Sequence, residues 1–382
     1  MRGVGEVLQT HVDRGTVAGA VALTSRRGEV DVAAVGLADV DGGVPMTRDT
    51  IVRVSSMTKN VTALATTMLV EGGALTLDDE IRRWLPELDA PVVVASPGGP
   101  LDDVVPADRA VTVLDLLTSR SGWGFASDFS SPAVAEIGRL LRPTGPLPAA
   151  IPAADDYLAV LAATPMAAQP GRAFLYDISL DVLGILLERV CGTGLADVLA
   201  EHVLEPLGMT DTGFFVPADR RDRFACLYDG DTADGFSLVD APDDQWASPP
   251  PLASGAGGLV STVDDWHRLL RLLLGRGEID GVRLVSGRAV DQLMTNHLTP
   301  GQEALAELFL DGQGWGFGGG VDIADREPWN VIGRYGWVGG TGTSGYVTPS
   351  TGTISIVMTQ MTLGGPTSPQ HLYDAWTDAA RP

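Results

Sequence analysis

The 382-residue sequence predicts an α+β fold in which both ends of the chain build one antiparallel sheet, flanked by helices, with an all-helical subdomain inserted between them. Three observations predict it. Two apolar runs of strand type, residues 18–24 and 29–35, lie near the start; four more, at 315–323, 330–337, 343–348 and 353–360, crowd the end; and the middle is mainly of helical period. The expected division is 1–52 with 210–382 as the α/β part and 53–209 as the mainly helical part of a single domain.

Taken in order, residues 1–14 read as a short amphipathic helix, and the strands 18–24 and 29–35 as a hairpin turning at Arg26-Arg27-Gly28. Thr62 to Val70 is apolar and unbroken up to Gly72-Gly73, a helix with its stop. Asp78 is expected to cap a helix running through Ile81 to Leu85, before Pro86. A short helix follows at 112–117 and ends at Ser121-Gly122. Residues 126–153, rich in Pro, Ala and Gly, read as a long irregular excursion suited to a flap over a cleft, where substrate selection could reside. Helices are expected at 155–162, 180–190 and 195–203, an irregular stretch at 215–257, and helices from Thr262 to Leu274 and from Ser286 to near His297. A last helix, 369–380, follows the strands.

Composition excludes several function classes. A formal net charge of −23 and a pI near 4.4 repel phosphate backbones, so no nucleic-acid partner is expected. No run approaches the ~18 apolar residues of a membrane span, and the first residues lack the apolar core of a secretion signal. Cys191 and Cys226 form no C-x-x-C pattern; Cys191 lies in an apolar helical run that suggests a buried thiol. These features together read as a cytoplasmic enzyme.

Among the 26 cationic side chains, Lys59 is the one lysine; all the others are arginine. A guanidinium stays protonated at any physiological pH, whereas an amine freed of its proton by desolvation is a usable base. Ser56 precedes Lys59 by three residues, one helical turn away on the same face and at a helix N-terminus, where unpaired N–H groups favour an oxyanion. The plainer alternative makes Ser56 an N-cap and Lys59 a surface residue; the lysine's solitude favours chemistry. Tyr176, in a loop just before the 180–190 helix, could relay a proton, or simply be a half-buried phenol. Gly336-Trp337-Val338-Gly339-Gly340 ends one predicted strand, and the Gly340 N–H could join that of Ser56 in an oxyanion hole; a glycine-rich hairpin turn is the competing account. The histidines are scattered without ligand spacing, and neither metal nor cofactor is expected.

Taken together, Ser56-Met57-Thr58-Lys59, the segment from Pro170 to Gly184 around Tyr176, and Gly336 to Ser344 resemble the serine β-lactamase-like hydrolases: class C β-lactamases, DD-peptidases and family VIII carboxylesterases. The likeness extends to Leu75–Asp79, Leu116–Gly122 and Gly257–Asp265. It implies a β-lactamase/DD-peptidase-like fold, Ser56 as acylated nucleophile, Lys59 and Tyr176 as the proton-transfer pair, and Gly340 as second oxyanion donor. Two departures stand out. Tyr176-Asp177-Ile178 replaces the family's Y-x-N, and Trp337-Val338-Gly339 replaces K-T-G or H-T-G, which removes the cation expected to meet a substrate carboxylate. A tryptophan there resembles the family VIII esterases. Trp337, Val338, Gly339, Trp123 and Asp177 are therefore the expected contacts of a small-molecule ester. Acyl transfer, amide or D-peptide hydrolysis, and a catalytically silent ligand sensor are the rivals. The sequence leaves open which of Lys59 and Tyr176 is the base, and the oligomeric state.

Overall fold

The two opening strands form the expected hairpin. The computed structural model describes residues 3–144, 147–231, 235–325 and 330–363. In it, β1 (Gly19–Arg26) pairs with β2 (Glu29–Asp39) around Arg27 and Gly28, whose φ values of 51° and 90° give the left-handed pair that a two-residue hairpin turn needs. The chain then supplies β3 (Val44–Pro45) and, from its far end, β4 (Gly314–Trp315), β5 (Gly320–Val321), β6 (Tyr335–Gly339), β7 (Thr343–Thr348) and β8 (Thr353–Thr359). The eight lie antiparallel in the order β4-β5-β6-β7-β8-β1-β2-β3. The two ends of the chain meet where β1 pairs with β8, from Ala20 opposite Thr359 to Arg26 opposite Thr353.

Alternation along β1 decides which helix covers which face. Ala20 and Ala22 turn toward α1 (Val4–Asp13), where Val4 and Leu8 pack with Tyr346 and Val357. Val21 and Leu23 turn the other way, into the main core with Trp266, Leu269 and Leu270 of the helix Val263–Leu274. That core continues under two helices that are buried along most of their length, α2 (Thr58–Glu71) and, further along, Ile178–Cys191.

Between them the chain departs from several expectations. No helix runs from Asp78 to Leu85; only a 3₁₀ turn forms, Ile81–Arg83, because Asp79 accepts from the Thr76 N–H and the Ile81 N–H goes to Val111 O, a partner across the chain rather than along it. The short helix α3 (Val113–Leu117) is fixed by a reciprocal capping box between Thr112 and Asp115. The expected irregular excursion contains a ten-residue helix, α4 (Pro132–Leu141), started by its proline and burying Ala133, Val134, Ile137 and Leu141. Next come α5 (Ala154–Ala163) and α6 (Ile178–Cys191), the latter closed by Gly192 in the left-handed conformation. The expected helix at 195–203 is α-helical only to Leu199, then takes a π turn, Ala200–Leu204. A strand hairpin, Leu227–Asp231 with Gly235–Asp240, lies in the stretch expected to be irregular.

The run 315–323 is two short strands, not one, because residues 316–319 turn back upon α2: a side chain on Gly318 would strike Lys59 O, and Asn60 Nδ2 donates to Gly318 O at 3.0 Å. The helix begun at Ser286 stops at Leu293, short of His297, whose N–H goes to Trp315 O. Cys226 is buried, but Cys191, at the end of α6, is only half-buried. The expected helix 369–380 lies outside the described residues. Among those described, no helix is long and apolar enough to cross a membrane.

Candidate active site

Ser56 sits where a short strand turns into a buried helix. Val52–Arg53 pairs with Val260–Ser261, and Ser55–Met57 then makes a 3₁₀ turn that runs straight into α2. Ser55 takes φ 47°, an unusual value for a residue with a side chain, and its carbonyl is held by Thr58 Oγ1 at 2.7 Å. Val54 O in turn accepts from Thr343 Oγ1 of β7 at 3.2 Å. The turn is thereby fastened to both the sheet and the helix, with the Ser56 hydroxyl half-buried at the helix N-terminus.

One helical turn on, the fully buried Lys59 spends its three protons on Ser56 Oγ at 3.1 Å, Asp177 Oδ1 at 2.8 Å and Ala256 O at 2.6 Å. The sequence suggested that desolvation would free this amine of its proton. Burial does act in that direction and is the largest influence, but the attraction of Asp177, seconded by Tyr176 and Asp181, outweighs it and holds the pKa above the ordinary lysine value. Lys59 is therefore an ammonium in the resting protein.

Tyr176 reaches the same point from a different element. Its backbone pairs with Phe125 in both directions, and Asp177 then forms a tight γ-turn at φ 81°, ψ −70°, closed by the Ile178 N–H to Tyr176 O at 3.2 Å. Such a turn is rare and strained for a residue with a side chain. Its effect is to bring the Tyr176 ring to 4.6 Å from Lys59 Nζ while directing Asp177 at the same amine. The Tyr176 hydroxyl accepts from Trp337 Nε1 at 2.6 Å.

These groups close the floor of a cavity of about 510 Å³. Its walls are aromatic: Tyr176 stacks on Phe309 with centroids 4.8 Å apart, Phe309 meets Phe129 at 5.9 Å, and Phe129 meets Phe125 at 5.9 Å. Ser56, Tyr176, Asp177, Trp337, Val338 and Gly340 all line it, and Lys59 stands directly behind.

Two expected contacts lie elsewhere. Trp123 is wholly buried in the main core with Nε1 bonded to Thr164 O at 3.3 Å, because Gly122 and Gly124, at φ 108° and 142°, turn it inward. Gly339 backs onto the chain leading to Ser56: a side chain there would collide with Val54 O and Thr343 Oγ1. Sequence reasoning missed Phe125, Phe129 and Phe309, which carry no local motif, and Arg142, which ends α4 beside Asp177. Among the described residues, no group of three His, Cys, Asp or Glu side chains is placed to hold a metal ion.

The Beta-lactamase family model matches residues 4–378. The chain belongs to the β-lactamase family. Within it, the chain is 38% identical to Protein Rv1367c of Mycobacterium tuberculosis over 357 residues, covering 91% of this chain and 87% of that one. It is 32% identical to Esterase EstB of Burkholderia gladioli over 323 residues, 78% of this chain and 74% of the relative. The solved structure of EstCE1, described as a hydrolase with promiscuous acyltransferase activity, superposes with a TM-score of 0.81 at 27% identity, covering 98% of this chain and 97% of the other. The sheet and helices described above are thus the β-lactamase and penicillin-binding-protein fold, and the chain is a hydrolase of that fold. Ser56 and Lys59 occupy the S-x-x-K motif typical of the β-lactamase family.

Proposed function

We propose that this protein is a serine carboxylesterase of the family VIII type, acting on uncharged esters through an acyl-enzyme on Ser56. The observation that carries the reading is the Ser56 hydroxyl bonded to a buried ammonium at the floor of an aromatic-walled cavity. Ser56 Oγ attacks the ester carbonyl, and the resulting oxyanion is received by the backbone N–H groups of Ser56 and Gly340. An ammonium has no lone pair with which to take the serine proton, so Tyr176 is assigned as the relay: its hydroxyl oxygen takes the serine proton as it gives up its own, beside the Lys59 ammonium. The proton then goes to the departing alkoxide, and water releases the acid by the reverse sequence.

Selection for uncharged substrates follows from what the walls lack. The one arginine among the lining residues described, Arg142, is committed to Asp177 and Asp181, and the Trp337 N–H is committed to Tyr176. A substrate carboxylate, such as that of a β-lactam or a C-terminal peptide, would lose its hydration without gaining a partner. The name of Esterase EstB supports the ester reading, and the description of EstCE1 as a hydrolase with promiscuous acyltransferase activity supports acyl transfer as a secondary activity.

The deciding experiment compares a short p-nitrophenyl ester with a chromogenic cephalosporin, using wild type and Ser56→Ala. Ester turnover that vanishes in Ser56→Ala, with little cephalosporin cleavage, is the expected result. Dominant cephalosporin hydrolysis would overturn the substrate class, and full turnover by Ser56→Ala would overturn the mechanism.

A further inference from the structure

The cavity floor holds more charge than the reaction proposed above uses. Arg142, just past the C-terminal end of α4, donates through Nε to Asp177 Oδ2 at 3.0 Å and through Nη2 to Asp181 Oδ2. Its side chain is 9% exposed and that of Asp177 13%, while those of Lys59 and Asp181 are 0% exposed. Two cations and two carboxylates therefore share one nearly dry site with no net charge.

The rest of the site is equally occupied. Asp181 Oδ1 accepts from Ser254 Oγ at 2.6 Å and from the Ala256 N–H at 3.0 Å, and Tyr157 Oη donates to Asp181 Oδ2 at 3.0 Å. Tyr157 stays a neutral phenol, since burial, reinforced by Asp181, pushes its pKa far above the ordinary value. Among the described residues, the charged and titratable groups facing the floor are Lys59 from α2, Arg142 beyond α4, Tyr157 from α5, Tyr176 and Asp177 from the γ-turn, and Asp181 from α6.

The pairing follows from the residue types. Asp177 stands at the variable position of the family's Y-x-N, with Ile178 in place of the asparagine, and it brings a charge to the floor. A buried charge without a partner is strongly unfavourable, and Lys59 can neutralise only one of the two carboxylates. The second cation comes from the segment that forms the cavity wall, 35 residues from Asp177 in sequence.

We propose that Arg142 is a positioning residue for ester hydrolysis: by holding Asp177 Oδ2 it aims Oδ1 at Lys59, and so fixes the ammonium against Ser56 Oγ. It acts through Asp177 and not on the substrate. The inference rests on the serine-esterase reading. It also makes the wall and the floor one unit, because the helix that presents Gly138 to the cavity ends in the arginine that neutralises the floor.

The test is a double-mutant cycle read as pH profiles of p-nitrophenyl ester hydrolysis, with Ser56→Ala alongside. Arg142→Met is expected to lower kcat roughly 10-fold or more with KM changed less than ~3-fold, as for a residue that orients another. Asp177 is held below the ordinary carboxylate range: burial, the largest influence, works against this, but Lys59 and Arg142 outweigh it. Loss of Arg142 therefore raises its pKa and moves the acid limb of the profile upward. Arg142→Lys should recover most of the rate. In an Asp177→Asn background the same Arg142→Met change should cost less than ~2-fold, since there is no carboxylate left to aim. Equal losses in both backgrounds with an unmoved acid limb would show that Arg142 is structural only, and would overturn the proposal. If Arg142→Met does not fold, the comparison of Asp177→Asn with the charge-balanced double variant, together with the Arg142→Lys profile, decides the same question. Full turnover by Ser56→Ala would instead remove the esterase reading itself.

Discussion

Lys59 Nζ lies 2.8 Å from Asp177 Oδ1, and this contact, seconded by Tyr176 and Asp181, reverses what burial alone would do to the lysine. An amine in a dry site tends to discard its proton; beside a carboxylate in the same site it keeps it. The chemistry of the floor follows from that inversion.

Replacing Lys59 by arginine keeps the charge but forces a planar fork into a space built for a tetrahedral ammonium with three acceptors. Lys59→Arg is expected to lower kcat by on the order of 10²-fold or more. The measurement is the pre-steady-state burst of p-nitrophenol, checked against a thermal melt. An undiminished burst would mean that any cation suffices.

Trp337→Phe keeps an aromatic wall and deletes the 2.6 Å donor to the Tyr176 hydroxyl. The expected outcome is a fall in kcat of about 10-fold with a small change in KM, as when an interaction made mainly in the transition state is lost. Trp337→Ala should in addition raise KM, because the wall itself is gone. Matching kinetics for the Phe variant and wild type would reduce the indole to its shape.

Gly339→Ala should act on the serine from outside the cavity. A methyl group would collide with Val54 O and Thr343 Oγ1, the pair that anchors the strand leading to Ser56. The expected cost is about 1–3 kcal/mol of stability, with a drop in activity larger than the unfolded fraction accounts for. Urea unfolding and specific activity on the same preparation check it.

Asp265 gives the stability curve a slope that is the opposite of the usual acid effect. Burial pushes its pKa up to about 6, against the pull of bonds from the Asp211 N–H and Thr212 Oγ1. The folded state thus holds this proton more tightly than an unfolded chain, whose aspartate titrates near ~3.9. Its stabilising effect is complete below ~3.9 and is lost as pH rises through about 6, a change on the order of 2–3 kcal/mol. Urea midpoints between pH 4 and 7 should fall accordingly, and Asp265→Asn should flatten that part of the curve. Asp177, whose pKa is lowered, contributes in the other direction, below the ordinary carboxylate range.

Much of this was legible from residue types alone. A single lysine three residues after a serine, ahead of an apolar helix, pointed to the floor of the cavity, and Thr112 with Asp115 announced the start of a helix. Strands β7 and β8 were readable because their β-branched content and the Gly352 turn agree. The helix α4 was hidden by the prolines and alanines around it, although its buried positions keep helical spacing. In the other direction, Leu75 to Leu85 looked like a helix because its local pattern is one, and lost to the bridge with Val111 and Thr112, which no local window contains. Trp123 shows the same limit: whether a large aromatic lines a cavity or fills the core depends on two glycine torsions. Arg142 could not be singled out among so many arginines, since its meaning lies in Asp177 and Asp181, which only folding brings within reach.

The balance of Lys59, Arg142, Asp177 and Asp181 sets the routes by which this site can change over generations. A step that alters one of the four leaves an unmatched charge in a nearly dry place, so selection should discard most single replacements there before activity is consulted. Changes should persist when they come in opposite-signed pairs, such as the loss of Arg142 together with Asp177→Asn. Relatives that carry an uncharged residue in place of Asp177 would then be free to replace this arginine, and a saturation library of single substitutions would report as immutable a floor that paired libraries can redraw.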